Sequence, residues 1–451
     1  MRTKLTRHKT AACLATALLL ADLSGVTAPV VNAQQASVSI SNPLHNEIKA
    51  PALKSAWTYG ISEFNTAESS FMTNVIAVKE KLIVLDKKGK LAALHAKTGK
   101  KLWEYGSDML PFLLHGNGTI YGINQKGTLS ALNENGQRKW TASLKLSSVN
   151  SIQWIGDTVY VTAGLKFAAV DAATGKVKWT VSETDPTYSA GDPTMMQSGN
   201  VIIRSYLVQG ALSAIQINAY DAKTGKKLWE HIRQNYPLTV KDGLVYSISD
   251  LYPNMEDPVD RKIEVAIFDL QTGEDKGKRV YRWTDRENNN GSISSGGTIN
   301  SAFLDGNDFY IFEKGTLVKY DFWKYSKDQQ PMKKWSQQYE NRRPLYTVYD
   351  GKMFYQNYNT GGLVAIKLAN GQEINYDLGD NPTVQADIFG KGVYIGQSDG
   401  VFRAFHLNTL EPVFTLDTGS RRFGPTIQSD GMLYIQSGGK LFAVKLPTVL
   451  K

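Results

Sequence analysis

Beyond about residue 50 the chain is written in short runs in which apolar and polar residues alternate, such as TVYVTA (158–163), NVIIRSYLV (200–208) and GVYIGQS (392–398). A period of two places one face of each run in a core and predicts β-strands, and the β-branched and aromatic residues in them suit a pleated surface. Apolar stripes at helical spacing are scarce in the same region. Gly, Asn or Asp separates one run from the next, so tight turns are expected between strands. In 149–181 four runs follow one another: VNSIQWIG, TVYVTA, KFAAVDA and KVKWTV.

This four-run unit repeats. Aligned on a late aromatic, Trp103, Trp140, Trp179, Trp229, Trp283 and Trp335 recur, and Tyr376 and Phe414 continue the series. Four short strands per unit of this length predict the blade of a β-propeller. One phrase marks each unit: ALHAKTGKKLWE (93–104), ALNENGQRKWTA (131–142), AVDAATGKVKWT (169–180) and AYDAKTGKKLWE (219–230). In the last two copies Asp171 and Asp221 are placed to hold an Asx turn and Gly175 and Gly225 to take a positive φ, and the Trp of the phrase is placed to lie between one blade and the next. A structural docking role is therefore expected for these tryptophans and for Trp57. Three runs after Phe414, in GPTIQSD, GMLYIQS and KLFAVKL, have no fourth. LKSAWTYG (53–60) offers an unclaimed one. Together they predict a composite last blade and an all-β closed propeller of eight to nine blades, nine by strict count, with no sheet edge left open.

The phrase AxDxxTGKxxW resembles the tryptophan-docking repeat of the pyrroloquinoline-quinone (PQQ)-like propellers, and the resemblance covers roughly 51–446. It is strong in the first four units and decays in FDLQTGEDKGKRVYRW, YDFWKYSKDQQPMKKW, AIKLANGQEINY and AFHLNTLEPVF. The repeat is similar both to that of quinoprotein dehydrogenases and to that of the β-barrel-assembly lipoprotein of Gram-negative outer membranes. The first likeness implies PQQ, an adjacent cysteine pair beside it, and a calcium site of Glu, Asn and Asp. Cys13 is the one cysteine of the chain, and the calcium positions do not map onto it. No cofactor, neither PQQ nor calcium, and no dehydrogenase activity are expected. The second likeness implies a lipid-attachment cysteine, but Cys13 precedes the apolar run that should come before it.

The first residues change the picture of where the protein works. Arg2, Lys4, Arg7 and Lys9 precede AACLATALLLA, and small residues in VNA (31–33) precede Gln34. That is the layout of a secretory signal peptide, too short to span a bilayer. The expected organisation is a signal over 1–33, a leader over 34–50, one propeller over 51–446 and a tail over 447–451. An extracytoplasmic monomer follows, at the cell surface or in a periplasm. Of the net charge of +9, the signal carries four basic residues and one acidic, leaving about +6 (9 − 3). Such a surplus suits an anionic partner, and export argues against nucleic acid.

Candidate chemistry is confined to loops. Arginines stand at the connections between units: Arg233, Arg286, the pair Arg342 and Arg343, and the pair Arg421 and Arg422. Their guanidinium groups suit carboxylate or phosphate, so they are candidates for a basic mouth. Long segments at 182–192, 250–262 and 285–297 belong to the same face, whereas 321–334 belongs to the other. Tyr188, Tyr206 and Tyr252 are candidate stacking platforms for a carbohydrate. The histidines His45, His95, His115, His231 and His406 form no metal-ligand motif, and no nucleophile elbow or phosphate loop is present. Asp250, Glu256, Asp257 and Asp260 lack EF-hand spacing and read as a solvated acidic loop. The expectation is a non-enzymatic protein that binds or scaffolds a protein, peptide or anionic envelope polymer. The alternatives are a quinoprotein-like oxidoreductase and a carbohydrate-binding propeller.

Overall fold

The computed structural model describes residues 50–63, 72–210, 213–250, 260–284, 302–313, 316–335, 342–357, 359–376 and 381–451. The segments expected as signal and leader, 1–33 and 34–50, fall outside them apart from Ala50, as do Tyr252, Arg286, most of 250–262 and all of 285–297.

Nine four-stranded antiparallel sheets follow one another along the chain. Blades 1 to 8 span 75–105, 109–143, 151–182, 188–232, 239–284, 302–335, 342–375 and 383–417. In each of them the four strands pair in chain order. Blade 9 takes Ile427–Ser429, Met432–Ser437 and Lys440–Lys445 from the C-terminal end, and Trp57–Gly60 pairs with its third strand, Trp57 opposite Ala443 and Gly60 opposite Lys440. The count is thus nine. The chain is an all-β propeller; its one helical element among the described residues is the 3-10 turn Thr448–Leu450, whose Leu450 is buried against blades 8 and 9.

The alternation in sequence explains where the core lies. Second and third strands are buried almost throughout, for example all six residues of Thr158–Ala163, while fourth strands are half exposed. The buried residues fall into nine clusters, one at each interface of consecutive blades. One of them joins Val75, Leu82 and Leu94 of blade 1 to Met432, Tyr434 and Leu441 of blade 9. Each sheet therefore buries both faces against its neighbours, with no partner domain required.

The repeated phrase forms the hairpin between the third and fourth strands. Asp171 Oδ1 accepts from the Thr174 N–H at 2.8 Å, and Gly175 has φ 76°. Asp221 and Gly225 repeat this arrangement in blade 4, with φ 74° at the glycine. The side-chain acceptor replaces a backbone partner, and the glycine takes a conformation a Cβ would strain.

Candidate functional site

The docking tryptophans come first, because they fix where everything else stands. The indole N–H of Trp57 donates to the Ala96 carbonyl, Trp103 to Glu134, Trp140 to Ala172, Trp179 to Ala222 and Trp229 to Leu270, at 2.9–3.3 Å. Each acceptor belongs to the next blade and follows the last residue of its third strand. Each of the five rings also lies on the turn glycine of that blade. A Cβ on Gly99, Gly136, Gly175, Gly225 or Gly273 would come within 2.5–2.8 Å of the ring.

Trp283 and Trp335 stand elsewhere. In blades 1 to 4 the tryptophan pairs with the residue two before the end of the third strand, as Trp229 pairs with Ala219. In blade 5 the matching partner, Ile267, faces Gly277, and Trp283 lies opposite Arg261. The carbonyl of Phe322 in blade 6 is taken instead by Arg279, whose guanidinium lies 4.4 Å from the Phe322 ring centroid and 4.9 Å from that of Tyr246. In blade 6 the matching position is Lys333, whose ammonium binds the Leu368 carbonyl at 2.6 Å. Trp335 lies two residues further on, buried on Gly371, and its indole N–H has no hydrogen-bond partner among the described residues. Tyr376 donates its hydroxyl to the Leu407 carbonyl at 2.7 Å.

First strands of neighbouring blades touch one another and line the axis. Connections between blades, and those between second and third strands, then share one face. The described candidate arginines belong to it. Arg343 is exposed on the first strand of blade 7; Arg421 and Arg422 are exposed in the entry to blade 9. Arg422 meets Glu63 at 2.6 Å. Arg342 pairs with Asn357 through its backbone, and its side chain lies outside the described residues. Arg233 is turned inward: with φ 62°, it donates Nε and Nη2 to the Asp250 carbonyl at 3.1 and 2.9 Å. The structure therefore brings Arg421 and Arg422 together and spends Arg233 on its own loop.

The tyrosines separate in the same way. Tyr206 is fully buried and offers no exposed platform, because it stands on the second strand of blade 4, between blades 3 and 4. Tyr188 is half-buried, 5.4 Å from Tyr206 between ring centroids, and hydrogen-bonded to Gln216 and Glu230. Burial raises the pKa of both hydroxyls.

Sequence reasoning passed over Arg204, an arginine inside the apolar run NVIIRSYLV that is 1% exposed. Its guanidinium lies against the rings of Tyr206 and Phe167, 4.8 and 5.1 Å from their centroids. It donates to the Gly164 carbonyl and, at 3.4 Å, to the Tyr206 hydroxyl. From Tyr206 a chain runs to Tyr220 (2.8 Å) and on to Glu183 (2.5 Å), whose other oxygen is 3.4 Å from Lys227. Burial, followed by the neighbouring Tyr206 and Glu183, raises the Tyr220 pKa. Beside Arg204 lies a cavity of about 430 Å³ walled by Met72, Phe112, Val149, Asn150, Gly191 and Pro193 among others. Among the described residues no group of His, Cys, Asp and Glu is arranged to hold a metal ion.

A family model described as outer membrane protein assembly factor BamB matches residues 54–276 and 125–376, more than half of the chain. The chain belongs to this PQQ-like propeller family. Its sequence matches none of the curated proteins. Among solved structures it is similar to BamB from Moraxella catarrhalis, 16% identical, with 86% of this chain and 97% of that one covered and a TM-score of 0.41. It is also similar to the quinohemoprotein alcohol dehydrogenase of Comamonas testosteroni, 14% identical over 89% and 80%, TM-score 0.43. A third is the computationally designed Ika8 protein, 14% identical over 75% and 97%, TM-score 0.46. Likeness of this degree carries no argument about activity. No helix among the described residues is long and apolar enough to cross a membrane.

Proposed function

We propose that the protein is an exported, non-enzymatic propeller that binds or scaffolds a protein, peptide or anionic cell-envelope polymer, working as a monomer without PQQ or calcium. The observation that carries this reading is the exposure of Arg343, Arg421 and Arg422 on one face, at the entries to blades 7 and 9. An arginine fork takes a carboxylate or phosphate through paired, charge-assisted hydrogen bonds. The contact of Arg422 with Glu63 joins two exposed side chains; such a pair contributes little, so an incoming anion exchanges for it at small cost. The family match supports a propeller that works through its surface. The basic residues ahead of the apolar N-terminal run support export.

Substitution of Arg342, Arg343, Arg421 and Arg422 by alanine tests the reading. Retention on immobilised polyglutamate and on polyphosphate should be lost, while the melting temperature stays where it was. Retention that is unchanged in the fourfold variant would reject the arginine face as the binding surface.

A further inference from the structure

The cavity beside Arg204 has a structural cause. Two first strands are bulged next to it. In blade 4 Ala190 pairs with Tyr206 and Met195 with Arg204, so Gly191, Asp192, Pro193 and Thr194 together stand opposite Ser205 alone. In blade 2 Met109 pairs with Asn124 and Leu113 with Gly122, so Leu110, Pro111 and Phe112 stand opposite Ile123. Both bulges send residues to the same place, Gly191 and Pro193 from one side and Phe112 from the other, with Val149 and Asn150 of the blade 3 entry between them. Bulges cluster beside binding sites because they re-aim the chain locally. A volume of about 430 Å³ lies within the range of small-molecule sites.

The floor of this cavity carries a charge with no carboxylate against it. Arg204 makes no ion pair among the described residues, and its buried Nε has no hydrogen-bond partner. Two carbonyl and hydroxyl contacts and two aromatic rings offset part of the cost of burying it. Among the described residues its hydrogen bonds lead to one carboxylate, Glu183, through two tyrosine hydroxyls, and that carboxylate is shared with Lys227. A guanidinium that is 1% exposed and has no ion pair is costly to keep. An anion in the cavity relieves that cost, and its attraction to the guanidinium is stronger there than in water. The rest of the wall is mixed, with Met72, Phe112, Val149 and Pro193 apolar beside the polar Ser148 and Asn150, so it suits an anion that also carries an apolar body.

We infer that this cavity binds a small organic acid, a single carboxylate on a compact apolar body, with the carboxylate over Arg204 and the body between Phe112, Val149 and Pro193. The site differs from the arginine face proposed above in its residues and ligand class, so either can fail without the other.

Calorimetric titration of the full protein with benzoate, and with benzamide as the neutral isostere, is the test. Benzoate should bind one per chain, and benzamide at least about tenfold more weakly, a difference of 1.4 kcal/mol. Arg204→Met keeps the stacked stem and removes the charge; it should abolish the preference for benzoate. Ala190→Trp, at an exposed position in the rim, should block both probes while leaving Arg204 in place, which keeps the test open if the methionine variant fails to fold. Equal binding of benzoate and benzamide, or no saturable binding of either, would overturn the assignment.

Discussion

An alanine faces each of the five docking indoles across the last strand pair: Ala443 opposite Trp57, Ala93 opposite Trp103, Ala131 opposite Trp140, Ala169 opposite Trp179 and Ala219 opposite Trp229. The small partner leaves the indole free to lean onto the neighbouring blade, where a glycine takes its face and a carbonyl takes its N–H. Ala, Gly and Trp in the phrase therefore form one device spread over two blades. Trp179 is 8% exposed and meets Tyr160 and Phe167 at 6.0 and 5.3 Å between centroids. Trp179→Ala should cost about 3–5 kcal/mol in urea unfolding, as aromatic truncations in cores do. A loss under about 1 kcal/mol would show that the ring does not hold the blades together.

At the scale of strands, the repeat was legible where the phrase is intact and misleading where it decays. Counting from the tryptophans places Trp283 and Trp335 in line with the others, but strand pairing decides position. The longer hairpin of blade 5 puts Gly277, not Trp283, at the docking place, and blade 6 puts Lys333 there. Arg279 and Lys333 then satisfy the carbonyls an indole would have taken. These substitutions are local responses to a lost aromatic, and no spacing rule announces them. The bulges that shape the cavity are equally silent in the sequence, since AGDPT (190–194) reads as an ordinary loop. One signal was available: a lone arginine in a strand otherwise apolar marks a buried charge that needs explaining. A half-buried acid ties first strands together. Asp387 of blade 8 accepts from the Thr426 N–H at the entry to blade 9, at 2.8 Å, and from Gln385 at 2.9 Å. Burial raises its pKa despite these bonds. The folded protein thus holds this proton to higher pH than the unfolded chain, whose carboxyl titrates near about 4. Its ionisation disfavours folding as pH climbs from that value through the folded pKa, and the deficit is complete above it. Asp387→Asn should therefore raise the melting temperature more at pH 8 than at pH 4; a gain that is equal at both, or larger at pH 4, would contradict the placement.

For the molecule as a whole, the decisive segment is four residues long. Trp57–Gly60 pairs with Lys440–Lys445, so the outermost strand of the last blade comes from the opposite end of the chain. Without it, the third strand of blade 9 would present a free row of N–H and C=O groups, the kind of edge that recruits other chains. The same strand carries Trp57, whose ring lies on Gly99 and whose N–H reaches Ala96 of blade 1. Two effects are combined there, edge protection and clamping of blade 9 to blade 1, and two variants separate them. Trp57→Ala keeps the strand and removes the clamp, so it should lower stability by about 3–5 kcal/mol while light scattering reports the same mass as for the intact chain. Deletion through Gly60 removes both, so it should destabilise further and also drive concentration-dependent association through Lys440–Lys445. Association in Trp57→Ala alone would assign edge protection to the indole and not to the backbone ladder. A deletion variant as stable as the intact chain and with the same association state would mean that the last blade holds to the first through Met432, Tyr434 and Leu441 without help from the N-terminal strand.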